Sequence, residues 1–463
     1  MRQLLLDAAK RSIRYRESIG DRRVAPPADA LEQLARLREP LPEQPSDPLK
    51  VLELLDQVGS PATVAITGGR YFGFVNGSSM PVAVASNWLT TAWGQNACLR
   101  IMSPSAAALE DVALQWVMQI LRLPPTSGGA FVTGTSMASF ASLAAARHAV
   151  LEAAGWDVEN DGLFGAPPIT VVIGAEAHST LIRVLGQVGF GRARVVTVPV
   201  DRQGRMRADA FPKIKAPAIV CIQAGNVNTG AFDPAAEICA RAHDGGAWVH
   251  VDGAFGLWAA AAPSRAHHLE GFELADSWAT DAHKWVNVPY DCGIAVVRNA
   301  AALRAAMSVG AAYLPTGDER EPLHYTPDAG RRARAIDVWA TLKTLGRSGM
   351  ADLVERTCRH AARMAEALAD AGYEILNEVV INQVLVAFGD EETTRRVIAG
   401  IQADGTCWCG GTVWQGRTAM RISVSSYATT AEDVERSVDA ILRVAASVGR
   451  GSSGTKQHGP RQL

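Results

Sequence analysis

From Ser105 onward, apolar side chains return at three- and four-residue steps (Leu109, Val112, Ala113, Trp116, Val117, Ile120), which predicts an amphipathic helix closed by Pro124 and Pro125. Beyond it the period changes. Short β-branched runs alternate with helical stretches: AFVT at 130–133, ITVVIG at 169–174, RVVTVPV at 194–200, AIVCIQ at 218–223, AWVHV at 247–251, SWATD at 277–281 and GIAVVR at 293–298. These runs lack polar alternation, as strands buried on both faces should. The pattern predicts an α/β fold, a mainly parallel seven-stranded sheet with helices on both faces. After about residue 300 long Ala/Arg/Leu helices take over, followed by QVLVAFG at 383–389, MRISVS at 420–425 and the capped helix TTAEDVERSVDAILRVA, the signature of a smaller α+β domain. The first 65 residues mix short helical patterns with proline-broken loops. The expected organisation is an arm over 1–65, a large domain over 66–300, a small C-terminal domain over 301–450 and a flexible tail over 451–463.

Composition narrows the function classes. With 463 residues, 48% of them hydrophobic, the chain can bury a large core. Its 45 Lys+Arg against 47 Asp+Glu leave a formal net charge of −2, so nothing attracts nucleic acid or an anionic membrane globally, and an anionic ligand needs a local site. No apolar run approaches the roughly 18 residues of a membrane span. Asp7, Lys10 and Arg11 interrupt the apolar start, so no signal peptide is expected and the protein is read as cytoplasmic. Seven cysteines without a C-x-x-C argue against a disulfide framework; Cys407 and Cys409 lack the second pair or nearby histidine that a metal would need, and no metal is expected.

In open parallel sheets ligands bind beyond the carboxyl ends of strands. After AFVT, Gly134, Thr135 and Ser136 enter an Ala-rich helix, offering a glycine, two hydroxyls and free amides as a phosphate cradle or an ordinary cap. After ITVVIG comes His178, a base, a flat stacking surface or a cap. AWVHV ends at Asp252, followed by Gly253 and Ala254, small enough for a flat ligand; the carboxylate suits a buried cation or a turn. SWATD is followed by His283 and Lys284, and a lysine at such an interior junction can form a Schiff base with an aldehyde. A phosphate at 134–136, a flat ring between His178 and Ala254, a protonated ring nitrogen against Asp252 and an aldehyde on Lys284 together specify pyridoxal 5′-phosphate.

With SPSAAALEDVALQW, VTGTSMAS, AHSTLIR, HVDGAFG and DSWATDAHKWVNVPYDCG, the chain resembles the group II pyridoxal-phosphate-dependent decarboxylases over roughly 65–445. The resemblance implies the fold type I, aspartate-aminotransferase-like architecture and an intertwined homodimer with active sites at the subunit interface. It implies a Schiff base at Lys284, a pyridinium partner in Asp252, ring contact from Ala254, stacking and proton transfer by His178, and phosphate contacts from Gly134, Thr135, Ser136 and His283. The expected reaction removes the α-carboxylate of an L-amino acid as carbon dioxide and returns the amine. The family often has Asn-Pro before its His-Lys; Asp281-Ala282 puts a carboxylate there instead. The family's protonating tyrosine comes from a long loop of the neighbouring chain, for which Tyr313 and Tyr325 are the candidates here.

Arg421 falls where fold type I enzymes often place a clamp for a substrate carboxylate, with an interstrand ion pair as the alternative. Gln95 and Asn96 are candidate substrate contacts from the partner chain, and Trp408 and Trp414 are either pocket walls or core. The strand-end loops hold no cluster of cations, which favours an aromatic or other neutral substrate. Alternatives on the same scaffold are a transaminase, an aldehyde-forming enzyme or another carbon–carbon lyase, and, outside enzymes, an idle dimer retaining the cofactor. The missing G-x-G-x-x-G disfavours a nicotinamide oxidoreductase.

Overall fold

The structure is a computed structural model describing residues 1–308 and 319–453, with side chains to 450. Tyr313 and the tail beyond residue 453 lie outside the described residues. The chain forms two compact units, a larger one of Gly77–Arg359 with Asn377–Gln383, and a smaller one of Met1–Asn76, His360–Leu376 and Val384–Leu463.

The larger unit is built on seven strands, β1 (Gly128–Val132), β2 (Thr170–Gly174), β3 (Val196–Val198), β4 (Ala218–Gln223), β5 (Trp248–Asp252), β6 (Ser277–Asp281) and β7 (Gly293–Val297), in the order β1-β7-β6-β5-β4-β2-β3. All pairings from β6 to β3 are parallel, while β7 runs against both neighbours. Since β7 opposes both β1 and β6, those two run the same way, and β1, β2, β5 and β6 all deliver their carboxyl ends to one edge. Each of the seven apolar runs is a strand, and β4, β5, β6 and β7 are buried along their whole length. This is the mixed, mainly parallel sheet of fold type I.

Helix Thr135–Glu152 lies against the sheet through alanines, with Ala138, Ala141, Ala144 and Ala145 packed with Val132, Ile173, Ile219 and Ala295. Small side chains bring the helix axis close to the sheet, and this sets the helix N-terminus beside the strand ends. The helix expected after Ser105 spans Pro104–Ile120, but its buried stripe is Ala106, Ala107, Glu110, Ala113, Leu114, Val117, Met118 and Ile120. Leu109, Val112 and Trp116 are only half-buried. The stripe turns because Glu110 is satisfied at its centre: Arg331 donates to it at 2.6 Å and Arg320 at 3.1 Å, a buried charge tolerated because it is paired on both sides.

The smaller unit carries β8 (Glu374–Ile375), β9 (Gln383–Ala387), β10 (Gly410–Trp414) and β11 (Arg417–Ser423) in the order β10-β11-β9-β8, with the last helix over Ala431–Ser453. The N-terminal segment is tied into this unit. Buried Arg70 donates to the carbonyls of Gly20 and Arg22 at 2.6 and 3.1 Å and to that of Thr406, and its Nε lies 3.5 Å from Asp433. Helix Arg2–Ser18 buries none of its residues and is held at the surface by Arg11 and Arg14 on Asp56. Among the described residues no helix is long and apolar enough to cross a membrane.

Candidate active site

Four of the loops leaving the strand-end edge meet through hydrogen bonds and charge. After β1, Gly134 precedes helix Thr135–Glu152, and the Thr135 backbone N–H donates to Asp281 Oδ1 at 2.6 Å. Asp281 is the last residue of β6 and is buried. Its other oxygen faces Lys284 Nζ at 3.0 Å and His283 Nε2 at 3.7 Å. The Cys292 N–H donates to His283 Nδ1 at 3.1 Å. Burial lowers the His283 pKa against the pull of Asp281, so the ring is neutral near pH 7, and with Nδ1 accepting, its hydrogen sits on Nε2, toward Asp281. The ring also lies 4.3 Å from that of Tyr290. The turn is tightly built: a Cβ on Gly293 would overlap the backbone of Gly134, and one on Gly77 would overlap the Lys284 carbonyl.

Asp252 ends β5, the neighbour of β6, and is buried. Burial pushes its carboxyl pKa up, while electrostatic interaction with His178 and Lys284 and the Ala254 N–H draw it back down. Three strand-end loops, after β2, β5 and β6, therefore share one electrostatic neighbourhood. The β5 and β6 ends are stitched together, with Gly253 N–H on the Ala279 carbonyl and Asp281 N–H on the Ala254 carbonyl, both at 2.9 Å. Ala254 is half-buried. His178 caps helix Ser179–Gln187, its Nδ1 accepting from the Thr180 N–H at 3.2 Å. Its loop is anchored where Gln223 and Asn226 donate to the Glu176 carbonyl at 3.1 and 3.3 Å.

Does this ground fit pyridoxal phosphate? The Thr135 hydroxyl is buried and has no hydrogen-bond partner among the described residues, a cost of about 1–3 kcal/mol unless something supplies an oxygen. It sits in the first turn of an 18-residue helix, the positive end of its dipole, with Ser136 exposed beside it. A primary amine, a buried carboxylate and an imidazole lie within reach of one another's charge. The donor set fits the group, and Gly134, Thr135, Ser136, His178, Asp252, Ala254, His283 and Lys284 are the residues available to hold it.

The other expected site residues make the following contacts within their own units. Gln95 donates to the Trp93 carbonyl at 3.0 Å; the Asn96 side chain accepts from the Arg331 N–H at 3.0 Å, so Asn96 fastens a loop of its own unit. Tyr325 is half-buried against the core of the larger unit, with the Arg320 guanidinium 4.8 Å from its ring centroid. Arg421 lies on β11 in the smaller unit, where burial lowers its pKa against the pull of Tyr71. Tyr71 is buried there with its phenol pushed up to about 12 by burial, and its ring stacks on Trp408 at 5.1 Å. Trp414 is core, whereas Trp408 is half-buried between Tyr71 and the exposed Phe74. Asp281 is the member that motif reading left out of the site; its signal was an aspartate ending the SWATD strand, which is buried along its whole length, three residues before the lysine. Among the described residues no group of three His, Cys, Asp or Glu side chains is arranged to hold a metal.

Comparison with known proteins agrees with this chemistry. The model of the pyridoxal-dependent decarboxylase conserved domain matches residues 32–389. Tryptophan decarboxylase 1 of Oryza sativa subsp. japonica is 27% identical over 400 residues, 77% of this chain and 76% of the relative. An aromatic-L-amino-acid decarboxylase of Bacillus atrophaeus is 27% identical over 380 residues, 79% of this chain and 76% of the relative. The crystal structure of Oryza sativa TDC with PLP and tryptamine superposes with a TM-score of 0.88 at 23% identity, covering 96% of this chain and 97% of that one.

Proposed function

The chain belongs to the pyridoxal-dependent decarboxylase family, and from that premise we propose that it acts on an aromatic or other neutral L-amino acid, through Lys284, Asp252 and His178, as a cytoplasmic homodimer. The enzyme is a pyridoxal 5′-phosphate-dependent carboxy-lyase. An α-amino acid loses its carboxylate as carbon dioxide, the bonding pair stays on Cα, and one proton added there gives the amine. Pyridoxal phosphate, when bound, supplies the electron sink for that pair.

The chain's own residues do the rest. Lys284 offers the primary amine that would hold the cofactor by its aldehyde, placed by its 3.0 Å contact with buried Asp281. Asp252 is a buried carboxyl, and a cationic ring nitrogen facing it would favour its charged form and be favoured by it in turn. His178 presents a flat imidazole at the mouth of β2, and Thr135 offers its unpartnered hydroxyl to an anionic oxygen. The observation that carries the reading is geometric: Lys284 Nζ lies 3.0 Å from buried Asp281 at the end of β6, beside the buried Asp252 that ends the adjacent strand β5.

Substrate class is supported by the relatives, which are named for aromatic amino acids, and by the loops at 133–136, 175–180, 253–256 and 282–285, whose single Lys or Arg is Lys284. A homodimer is supported by the exposed Trp88, Leu89, Trp93, Ile101 and Met102 in one stretch of the larger unit, apolar surface of the kind a second copy covers. The test is purified enzyme screened for carbon dioxide release over the twenty amino acids. Lys284→Ala should abolish both release and the bound-cofactor absorbance. Unchanged absorbance in that variant would refute the assignment; a keto acid without carbon dioxide would replace decarboxylation as the main outcome, and an aldehyde with carbon dioxide but no amine would replace amine formation.

A further inference from the structure

The anion-binding turn that should receive the cofactor's phosphate already contains an anion of the protein's own. Three observations converge on it. Asp281 Oδ1 takes the Thr135 N–H at 2.6 Å, a first-turn amide of helix Thr135–Glu152. The other oxygen holds Lys284 Nζ at 3.0 Å, so one buried carboxylate engages both the phosphate end and the aldehyde end of the site. The hydroxyl of Thr135 meanwhile remains buried and unpartnered among the described residues, which leaves an oxygen acceptor still to be supplied beside the occupied amide.

We infer that Asp281 is a specificity-determining residue for the cofactor: its carboxylate opposes the phosphate charge at the Thr135 turn, and so sets how tightly, and in which phosphate ionisation state, the cofactor is captured. The inference rests on the reading that Lys284 carries the cofactor. A phosphate arriving at this helix start meets an amide whose hydrogen is spent on Asp281 and a negative charge with little water around it to screen the repulsion. Were Lys284 Nζ engaged covalently, at least two of the three N–H donors that the ammonium offers Asp281 would be lost. Among the described residues, Asp281 influences the titration of His283, neutral for the reasons above, and of Asp252 and Cys292. None of them adds a second full positive charge to offset both anions. A phosphate monoanion is accepted better than a dianion here, because it carries less charge and brings a hydrogen that the carboxylate can accept.

The test compares pyridoxal 5′-phosphate with 5′-deoxypyridoxal, which has the same aldehyde and no phosphate, binding to cofactor-free full-length enzyme. The readout is the ratio of the two affinities, from bound-cofactor absorbance, so effects on Lys284 reactivity cancel. In Asp281→Asn the ratio should rise in favour of the phosphate ester by about 10-fold or more; an unchanged or lower ratio overturns the inference. Asp281→Ser repeats the test with a smaller neutral group should the asparagine variant fold poorly. In the wild type, which requires no variant, the ratio should fall as pH rises from about 5.5 to 7.5 through the second phosphate ionisation near 6, and a rising ratio overturns the inference. Covalent labelling of a residue other than Lys284 by both aldehydes would instead remove the site reading itself, and this inference with it.

Discussion

Asp252 and Asp281 end β5 and β6, adjacent parallel strands of one sheet, and both carboxylates are buried. Asp281 is held by a backbone N–H and an ammonium within 3.0 Å. Asp252 is governed by burial, which raises its pKa, with His178 and Lys284 countering through charge. Two residues of the same type at equivalent strand positions thus face different demands. A carboxylate already engaged resists a new anion, whereas one raised by burial gains most when a cation is brought to it. The comparison teaches that the sign of the ligand's charge at each end of the site can be read from how the protein has, or has not, satisfied its own carboxylates.

The contrast can be broken most sharply at Asp252. Asp252→Asn keeps the shape but removes the charge that would hold a protonated ring nitrogen, so turnover should fall about 100-fold or more, roughly 3 kcal/mol in the barrier. The apoprotein should melt no lower, because a costly buried carboxyl is gone. Turnover and thermal melting measured together check it, and equal losses in both would mean that Asp252 is structural.

Two residues before Asp252 on the same strand, His250 tests whether the polar layer beneath is also set by burial. It is fully buried between Ser277 at 3.0 Å and Ser139 at 3.4 Å, and burial lowers its pKa to about 3. The folded value lies below the ordinary 6.5, so the unfolded chain binds the extra proton first. The stabilisation is full above about pH 6.5 and is lost as pH falls toward about 3, a loss on the order of 4 kcal/mol. His250→Leu should lower stability at pH 7 but flatten its slope between pH 4 and 6.5, as denaturant midpoints will record. A slope as steep as the wild type's rules the histidine out as its source.

The smallest effect belongs to Thr135. Thr135→Val removes a buried hydroxyl without a partner, so the apoprotein should gain about 1 kcal/mol. Cofactor affinity should drop about 5-fold, near 1 kcal/mol. Opposite signs in the two measurements distinguish a ligand-directed hydroxyl from a merely tolerated one.

Much of this was legible in the chain itself. Apolar runs without polar alternation located all seven strands of the large sheet, because strands covered on both faces leave little room for polar residues. An interior Lys284 and the Asp252 ending β5 announced chemistry, because such groups are not buried without a partner. What could not be read was pairing. The buried face of Pro104–Ile120 turned toward Glu110 because Arg331 and Arg320 arrive from more than 200 residues away. That Tyr325, a candidate proton donor by its loop position, packs against the core with Arg320 over its ring was likewise not legible. Trp408 and Trp414, alike in sequence, divide between an aromatic stack and the core.

The sequence by itself determined the order of strands and helices, the class of cofactor and the side chains on offer at the strand ends, since these depend on local periodicity and on side-chain type. Only the tertiary structure decided that Asp281 holds both Thr135 and Lys284, and that His178, Asp252 and Lys284 feel one another's charge. Coulomb and hydrogen-bond energies depend on distances between loops far apart in the chain, and the sheet edge sets those distances.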